Sequence, residues 1–416
     1  MKTIVLDDDP TGTQCATGVT VLLRWDVSSL IEVLRTADSV YLLTNSRALN
    51  EPEAVTLARN IKAAGDAAGL ALGEEIQYVL RGDSTLRGHV FSESEVFLNS
   101  GNSIIFLPAY PEVGRRTIDG IHYVRIEGVD IPAAQTEFAQ DPVFSYSAKT
   151  LIDFVAEKSA RKGFSFSLSD VRAGALELSK KFASVPAGGV ILPDAESDAD
   201  IEIISDAIKL LRNSGQPLVV RSSAPLAALL AGVRSNGFLT PPLMSGTFST
   251  LLVAGSHTEG ATRQLAAISS RWGEAEVINT ARAMEDPIQA AASAITEGRR
   301  KLAESSFAII TTERHRLSEH NTLEHGEKVM RALICAVEEL SVSADIVVSK
   351  GGITSAEVAR TGIGADDAWV VGQILPGISV WKLKDRRARE LLLVIVPGSV
   401  GDSDTLMKVL EIVGLN

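Results

Sequence analysis

Short apolar runs recur along this 416-residue chain, and most of them end in a polar or glycine-rich turn. Segments with helical periodicity lie between many of them. This alternation constrains the fold more than any other feature. Apolar runs buried on both faces, joined by helical crossovers, pair as a parallel sheet with helices against it. Runs at 4–6, 19–23, 40–43, 76–80, 103–107, 164–168, 189–192 and 217–220 read as strands. Helices are expected at 28–34, 51–72, 149–159, 171–183 and 200–212, and a small hairpin or excursion at 123–136. The pattern breaks at Ser235-Asn236-Gly237, Pro241-Pro242 and Ser245-Gly246-Thr247, residues that punctuate structure. A second alternation follows, with strands at 251–254, near Val277, and at 307–310, 346–348, 368–371 and 391–396. Its longest helix is expected at 318–340. The fold class is therefore α/β, with two domains, each a mostly parallel sheet flanked by helices. The expected division is 1–235, a linker at 236–248, and 249–416.

Composition narrows the function. Apolar residues make up 45% of the chain, enough for a large core and too many for disorder. The formal net charge of −12 opposes sequence-independent nucleic-acid binding, which needs a basic face. Cys15 and Cys335 are the only cysteines and lie far apart, so they imply no disulfide framework and no cysteine zinc site. The first residues turn acidic at once, unlike a secretory signal, and no apolar run approaches a membrane span. The expectation is a cytoplasmic protein acting on a small molecule, without nucleic-acid or membrane partners; a homodimer is left open.

The densest chemistry lies at Arg81-Gly82-Asp83-Ser84-Thr85-Leu86-Arg87-Gly88-His89, after the run 76–80. In open α/β sheets ligands sit where strands end. Two guanidinium forks there suit a carboxylate or phosphate, and Asp83 suits a substrate hydroxyl or a metal. Asp7-Asp8-Asp9-Pro10-Thr11-Gly12 closes the first run. Three adjacent carboxylates repel unless a cation, an arginine or a hydroxyl compensates. Thr44-Asn45-Ser46-Arg47 is another polar strand exit, and Arg115-Arg116 close a rigid Pro/Gly-rich loop. Asp83 stands between two arginines, which should lower its pKa and make it an orienting group. Asp8, flanked by carboxylates, suits proton acceptance or metal binding. In the second half, Gly255-Ser256-His257-Thr258, Lys350-Gly351-Gly352-Ile353-Thr354-Ser355 and Pro397-Gly398-Ser399-Val400-Gly401-Asp402 each follow an apolar run. Glycines there let amides approach phosphate, Lys350 adds a point charge, and 372–377 could form a further wall. Neither a P-loop nor a G-x-G-x-x-G pattern is present. His315, His320 and His325 have poor metal spacing, His122 reads as packing, and no residue is assigned as a metal ligand.

Taken together, DDDPTGTQ, RGDSTLRGH, PAYPEVGRRT with IHYV, SKGGITSAEV, GQILPG and VPGSVGD resemble the four-carbon acid sugar kinases, once called domain of unknown function 1537. The resemblance runs in order over nearly the whole chain. It implies an N-terminal domain that binds a sugar acid and a C-terminal domain that binds ATP with Mg²⁺. It also implies phosphorylation of an acid such as threonate, erythronate or 3-oxo-tetronate. Carried over, the acid site falls on Asp8, Thr11, Arg81, Asp83, Ser84 and Arg87, with Arg115 or Arg116 nearby, and Asp8 and Asp83 compete as base. The nucleotide site falls on Ser256, Gly351, Gly352, Ile353, Thr354, Gly398 and Gly401. Two other readings stay open: a non-catalytic sensor of a nucleotide and a sugar acid, and a nicotinamide-dependent hydroxy-acid oxidoreductase.

Overall fold

The computed structural model describes residues 1–314 and 322–415. The start of the expected helix at 318, and with it His315 and His320, lies outside the described residues. The chain forms two compact α/β units. The first comprises Met1–Asp8 and Trp25–Arg234; the second comprises Asp9–Arg24 and Ser235–Asn416. Residues 9–24, near the start of the chain, thus pack with its C-terminal part.

In the first unit β1 (Lys2–Asp7) is central. It pairs in parallel with β3 (Ser39–Leu43) on one side and β4 (Ile76–Arg81) on the other. Beyond β4 lie β11 (Val219–Ser222), β5 (Ile104–Leu107), β10 (Val190–Pro193) and β9 (Gly163–Phe166), all parallel. The residues of β3, β5 and β10 are buried throughout, as expected of strands covered on both faces. The crossover helices begin at strong caps. Asp26 with Ser29, Asn50 with Glu53, and Ser197 with Asp200 form capping boxes, and Gly73 ends Glu51–Leu72 in the left-handed conformation. The excursion is larger than expected. β6 (Arg115–Ile118), β7 (Ile121–Ile126) and β8 (Val129–Pro132) form a three-stranded antiparallel sheet.

The second unit repeats the plan around β12 (Thr250–Ala254). β14 (Phe307–Thr312) and β15 (Ile346–Lys350) flank it in parallel, with β13 (Glu276–Ile278) and β18 (Glu390–Val396) outside them. The sheet continues antiparallel through β17 (Ile378–Lys384), β16 (Asp367–Leu375) and β2 (Thr20–Leu22). The stretch 372–377, expected to add a further wall, is the end of β16 and the turn into β17; the turn is made at Gly377, whose φ is +73°. Trp381 of β17 is fully buried and donates its indole N–H to Thr13 Oγ1 at 2.8 Å.

In each unit the strand order reverses beside the central strand. The chain goes from β1 to β3 on one side and then to β4 on the other. It goes from β12 to β13 and β14 on one side and then to β15 on the other. Such reversals open a crevice at the carboxyl ends of the strands.

Candidate functional site

At the first reversal, Asp7 and Arg81 are register partners at the ends of β1 and β4. Arg81 Nη1 reaches Asp7 Oδ1 at 3.0 Å and Asp8 Oδ1 at 3.1 Å. The Asp83 amide donates to Asp8 Oδ2 at 3.1 Å, and Arg47 Nε lies 3.3 Å from the same oxygen. Asp7, Asp8 and Arg81 are all buried. Burial pushes the Asp7 carboxyl up to about 7, against the pull of Arg81 and with the push of Asp8. Asp7 Oδ2 is buried without a hydrogen-bond partner among the described residues. Asp83 is the opposite case. Burial alone would raise it, but Arg87, Arg47 and a hydrogen bond from Thr85 hold it well below the usual carboxylate range.

The loop after Arg81 is braced from several sides. Asp83 Oδ2 accepts from Arg87 Nε at 2.7 Å and from Thr85 Oγ1, and Tyr146 donates to the Thr85 carbonyl at 2.9 Å. His122 Nε2 lies 2.8 Å from the Ser84 carbonyl. Buried Leu86 holds φ +69°, a conformation costly for a branched residue and common at functional sites. Arg87 also faces Asp141 at 3.7 Å and covers the Phe138 ring. The adjacent arginines 115 and 116 part company on β6. Arg115 is buried, senses the charges of Asp83 and Arg87, and is pushed down to about 10 by burial. Arg116 points the other way, onto Asp130 and Glu196. Thr11 belongs to the second unit, where its amide and hydroxyl both donate to Asp9 Oδ1.

Three residues outside the sequence-derived set complete this cluster. Arg47 touches both Asp8 and Asp83. Arg221, at the end of β11, lies under the loop, where a Cβ on Gly82 would sit 2.6 Å from its Nη2. It pairs with buried Glu93 at 2.5 Å. The readable signal was a charged residue directly after the apolar run at 217–220; its partner, far away in sequence, gives no such signal.

At the second reversal, the glycine-rich loops converge on Ser256. A Cβ on Gly351 would sit 3.1 Å from Ser256 Cβ at a φ of +119°, which favours glycine there, and one on Gly398 would meet Ser256 Oγ at 2.6 Å. Ser256 and Gly255 donate their amides to the Lys350 carbonyl, and Gly351 donates to the Val396 carbonyl at 2.8 Å. Gly352, Ile353 and Thr354 open a short helix, Gly352–Glu357, in which Thr354 is buried. Gly401 holds φ +86° against Thr405. Lys350 does not present a point charge to the loop surface, as expected from sequence. It is fully buried, and its ammonium donates to the carbonyls of Pro397 at 2.6 Å and Val400 at 3.4 Å. Burial, with the nearby Arg314 charge, pushes it down to about 7. Arg314 holds the Ser256 carbonyl, Thr262 and Thr311. Neither cation has a carboxylate partner among the described residues.

A buried guanidinium–carboxylate cluster at one reversal and amide-rich loops at the other define a two-unit α/β protein suited to holding small anions. A sugar-binding N-terminal domain profile matches residues 3–230, and a nucleotide-binding C-terminal domain profile matches residues 251–406. The chain belongs to the four-carbon acid sugar kinase family, the former domain of unknown function 1537. It is 26% identical to a D-threonate kinase of Salmonella typhimurium over 430 residues, covering 98% of this chain and 97% of the relative. A Haemophilus influenzae protein of the former domain of unknown function 1537 has the same fold, with TM-score 0.61, 17% identity and coverage of 99% and 100% of the two chains. A Salmonella typhimurium structure matches with TM-score 0.67, 16% identity and 98% of each chain. Among the described residues, no helix is long and apolar enough to cross a membrane.

Proposed function

We propose that the protein transfers the terminal phosphoryl group of ATP to a hydroxyl of a four-carbon acid sugar of the threonate, erythronate or 3-oxo-tetronate type. The observation that carries this reading is the cluster of buried arginines Arg47, Arg81 and Arg115, with Arg87 beside them, at the end of β1 and β4. Fixed guanidinium groups recognise a carboxylate with directional, charge-assisted bonds. Similarity to a D-threonate kinase supports the substrate class.

In this reading Arg81, Arg87 and Arg115 clamp the acid, with Ser84 offering a hydroxyl. Arg116, engaged by Asp130, stays outside the clamp. Asp8 acts as base toward the acceptor hydroxyl. Asp83, held ionised by Arg87 and Arg47, orients the clamp rather than taking a proton. Ser256, Gly351, Gly352, Ile353, Thr354, Gly398 and Gly401 surround the nucleotide phosphates. Such transfer depends mainly on positioning and charge stabilisation. The run Asp7-Asp8-Asp9 is the one group of three potential metal ligands found among the described residues. The unpartnered Asp7 Oδ2 within it fits a Mg²⁺ ion that accompanies ATP. When bound, Mg²⁺ neutralises charge on phosphate oxygens.

A coupled ATP-consumption assay across a panel of four-carbon acids tests the reading, with turnover expected for at least one tetronate. Nucleotide and acid binding without turnover on any acid would make the protein a sensor and sink the kinase reading. Within active enzyme, Asp8→Asn should lower kcat with KM for the acid nearly unchanged, while Asp83→Asn should mainly raise that KM. The reverse pattern would make Asp83 the base.

A further inference from the structure

Carbonyls of the loop after β18 are captured by the side chains of Lys350, Thr258 and Gln264. Lys350 Nζ holds Pro397 O at 2.6 Å and Val400 O at 3.4 Å. Thr258 Oγ1 donates to Gly398 O at 2.9 Å. Gln264 Nε2 lies among three carbonyls: Val400 at 3.2 Å, Gly401 at 3.3 Å and Asp402 at 2.9 Å. Gln264 is 1% exposed and Lys350 fully buried. The orientation of the Gln264 amide is fixed by its surroundings, since the reverse would set its oxygen against three others.

Across a trans peptide the N–H points opposite to the C=O. Among the described residues the only cis peptide is Pro241-Pro242. Capture of the carbonyls of 397, 398, 400, 401 and 402 therefore turns the amides of 398, 399, 401, 402 and 403 to the other side. The amides of Gly398, Gly401, Asp402 and Ser403 donate to no acceptor among the described residues. Gly401, Asp402 and Ser403 are exposed. Successive outward amides make an anion-binding concavity. This one adjoins Ser256 through Gly398, so it is continuous with the other two glycine-rich loops. Lys350, a cation without a carboxylate partner among the described residues, bonds the loop directly, and Arg314, another, holds the adjoining Ser256 carbonyl.

We propose that Thr258, Gln264 and Lys350 form a carbonyl-capturing scaffold that turns the amides of Gly398, Gly401, Asp402 and Ser403 outward to cradle a polyphosphate, with Gln264 as the principal positioning residue. The inference rests on the ATP reading above and deepens it. None of the three side chains needs to touch the ligand. Each acts by holding a peptide plane.

Calorimetric titration of the full chain with ATP, with inorganic tripolyphosphate and with a four-carbon acid tests this. Gln264→Leu should weaken ATP and tripolyphosphate alike, by about tenfold or more, and leave acid affinity unchanged. Thr258→Val should weaken both by less, and Thr258→Ser, which keeps the hydroxyl, should restore them. Thr258→Val and its serine counterpart keep the test decisive if Gln264→Leu does not fold. Unchanged tripolyphosphate and ATP affinity in Gln264→Leu and Thr258→Val would overturn the scaffold, as would equal loss of acid binding. Wild-type protein that binds tripolyphosphate but not ATP would sink the nucleotide reading while leaving the cradle standing. Wild-type protein that binds neither would overturn the cradle itself.

Discussion

The ends of β1 and β4 and the ends of β12 and β15 occupy the same place in the same plan, yet they are built from different materials. At the first, side chains carry the charge, and almost every guanidinium faces a carboxylate: Arg81 faces Asp7 and Asp8, and Arg87 faces Asp83 and Asp141. At the second, the polar surface is backbone, shaped by glycines, and buried Lys350 and half-buried Arg314 face only neutral oxygens. A small acid has few atoms, so recognising it takes directional bonds from groups already locked in place. A polyphosphate offers many equivalent oxygens, and a ring of amides can meet them without a matched countercharge. Under the proposed function, one topology serves both ligands because the reversal of strand order supplies only a crevice, and the residues at its rim decide what fits.

If charge is paired at the first reversal and unpaired at the second, removing it should cost differently. Arg81→Met leaves Asp7 and Asp8 buried without their shared partner, which should cost about 3–5 kcal/mol of stability. Lys350→Met removes a desolvated ammonium whose only bonds are to carbonyls, so its loss of stability should be clearly smaller. Chemical unfolding of both variants checks this, and equal losses would erase the contrast. Next in size is ligand selectivity. Arg87→Ala should weaken acid binding by about ten- to over a hundredfold, the worth of a charge-assisted bond, with nucleotide affinity intact. Parallel loss of both ligands in calorimetry would point to damage of the whole fold.

The pH dependence should be milder and two-sided. Folded Asp7 keeps its proton up to about 7, while the unfolded chain gives it up near 3.8. Its contribution to stability therefore falls as pH rises between those values and is flat above. Folded Lys350 loses its proton near 7, while the unfolded chain keeps it to about 10.5. Its contribution is least favourable below 7 and recovers as pH rises toward 10.5. Together they make a trough near neutrality. Asp7→Asn should flatten the acid limb in unfolding measurements, and Lys350→Met the alkaline limb. The smallest effect belongs to Arg116→Ala, which breaks a pair on the outer face of the three-stranded sheet. Acid KM should barely move; a large rise would return Arg116 to the clamp.

The alternation of apolar runs and helical segments was legible because strands covered on both faces are nearly continuous in Val, Ile and Leu. β17 escaped notice because the turn before it, at Pro376-Gly377, resembles a ligand loop as much as a hairpin turn. Asp8, Arg81, Asp83 and Arg87 could be picked out because they crowd the ends of apolar runs. Glu93, Arg221 and Gln264 could not, because their roles depend on partners brought near only by the fold. Arg115 and Arg116 were indistinguishable in sequence; alternation along a strand separates them, and that needs the strand's register. Lys350 was misread because a lysine beside glycines looks the same whether it faces ligand or core.

The membership of residues 9–24 in the second unit has a consequence for the order in which the protein can be completed. β2 pairs with β16 through Val21 and Ala368, and Thr13 waits for Trp381, 368 residues downstream. During synthesis this strand of the second unit emerges first and its partner β16 nearly last. Until β16 and β17 are made, that early segment lacks its partners in the second unit, and the contact it awaits has one of the longest loop closures the chain allows. The first unit can be finished on the ribosome once Arg234 has emerged. The second cannot, and a fragment that begins at Ser235 lacks one strand of its own sheet however long it is given to fold.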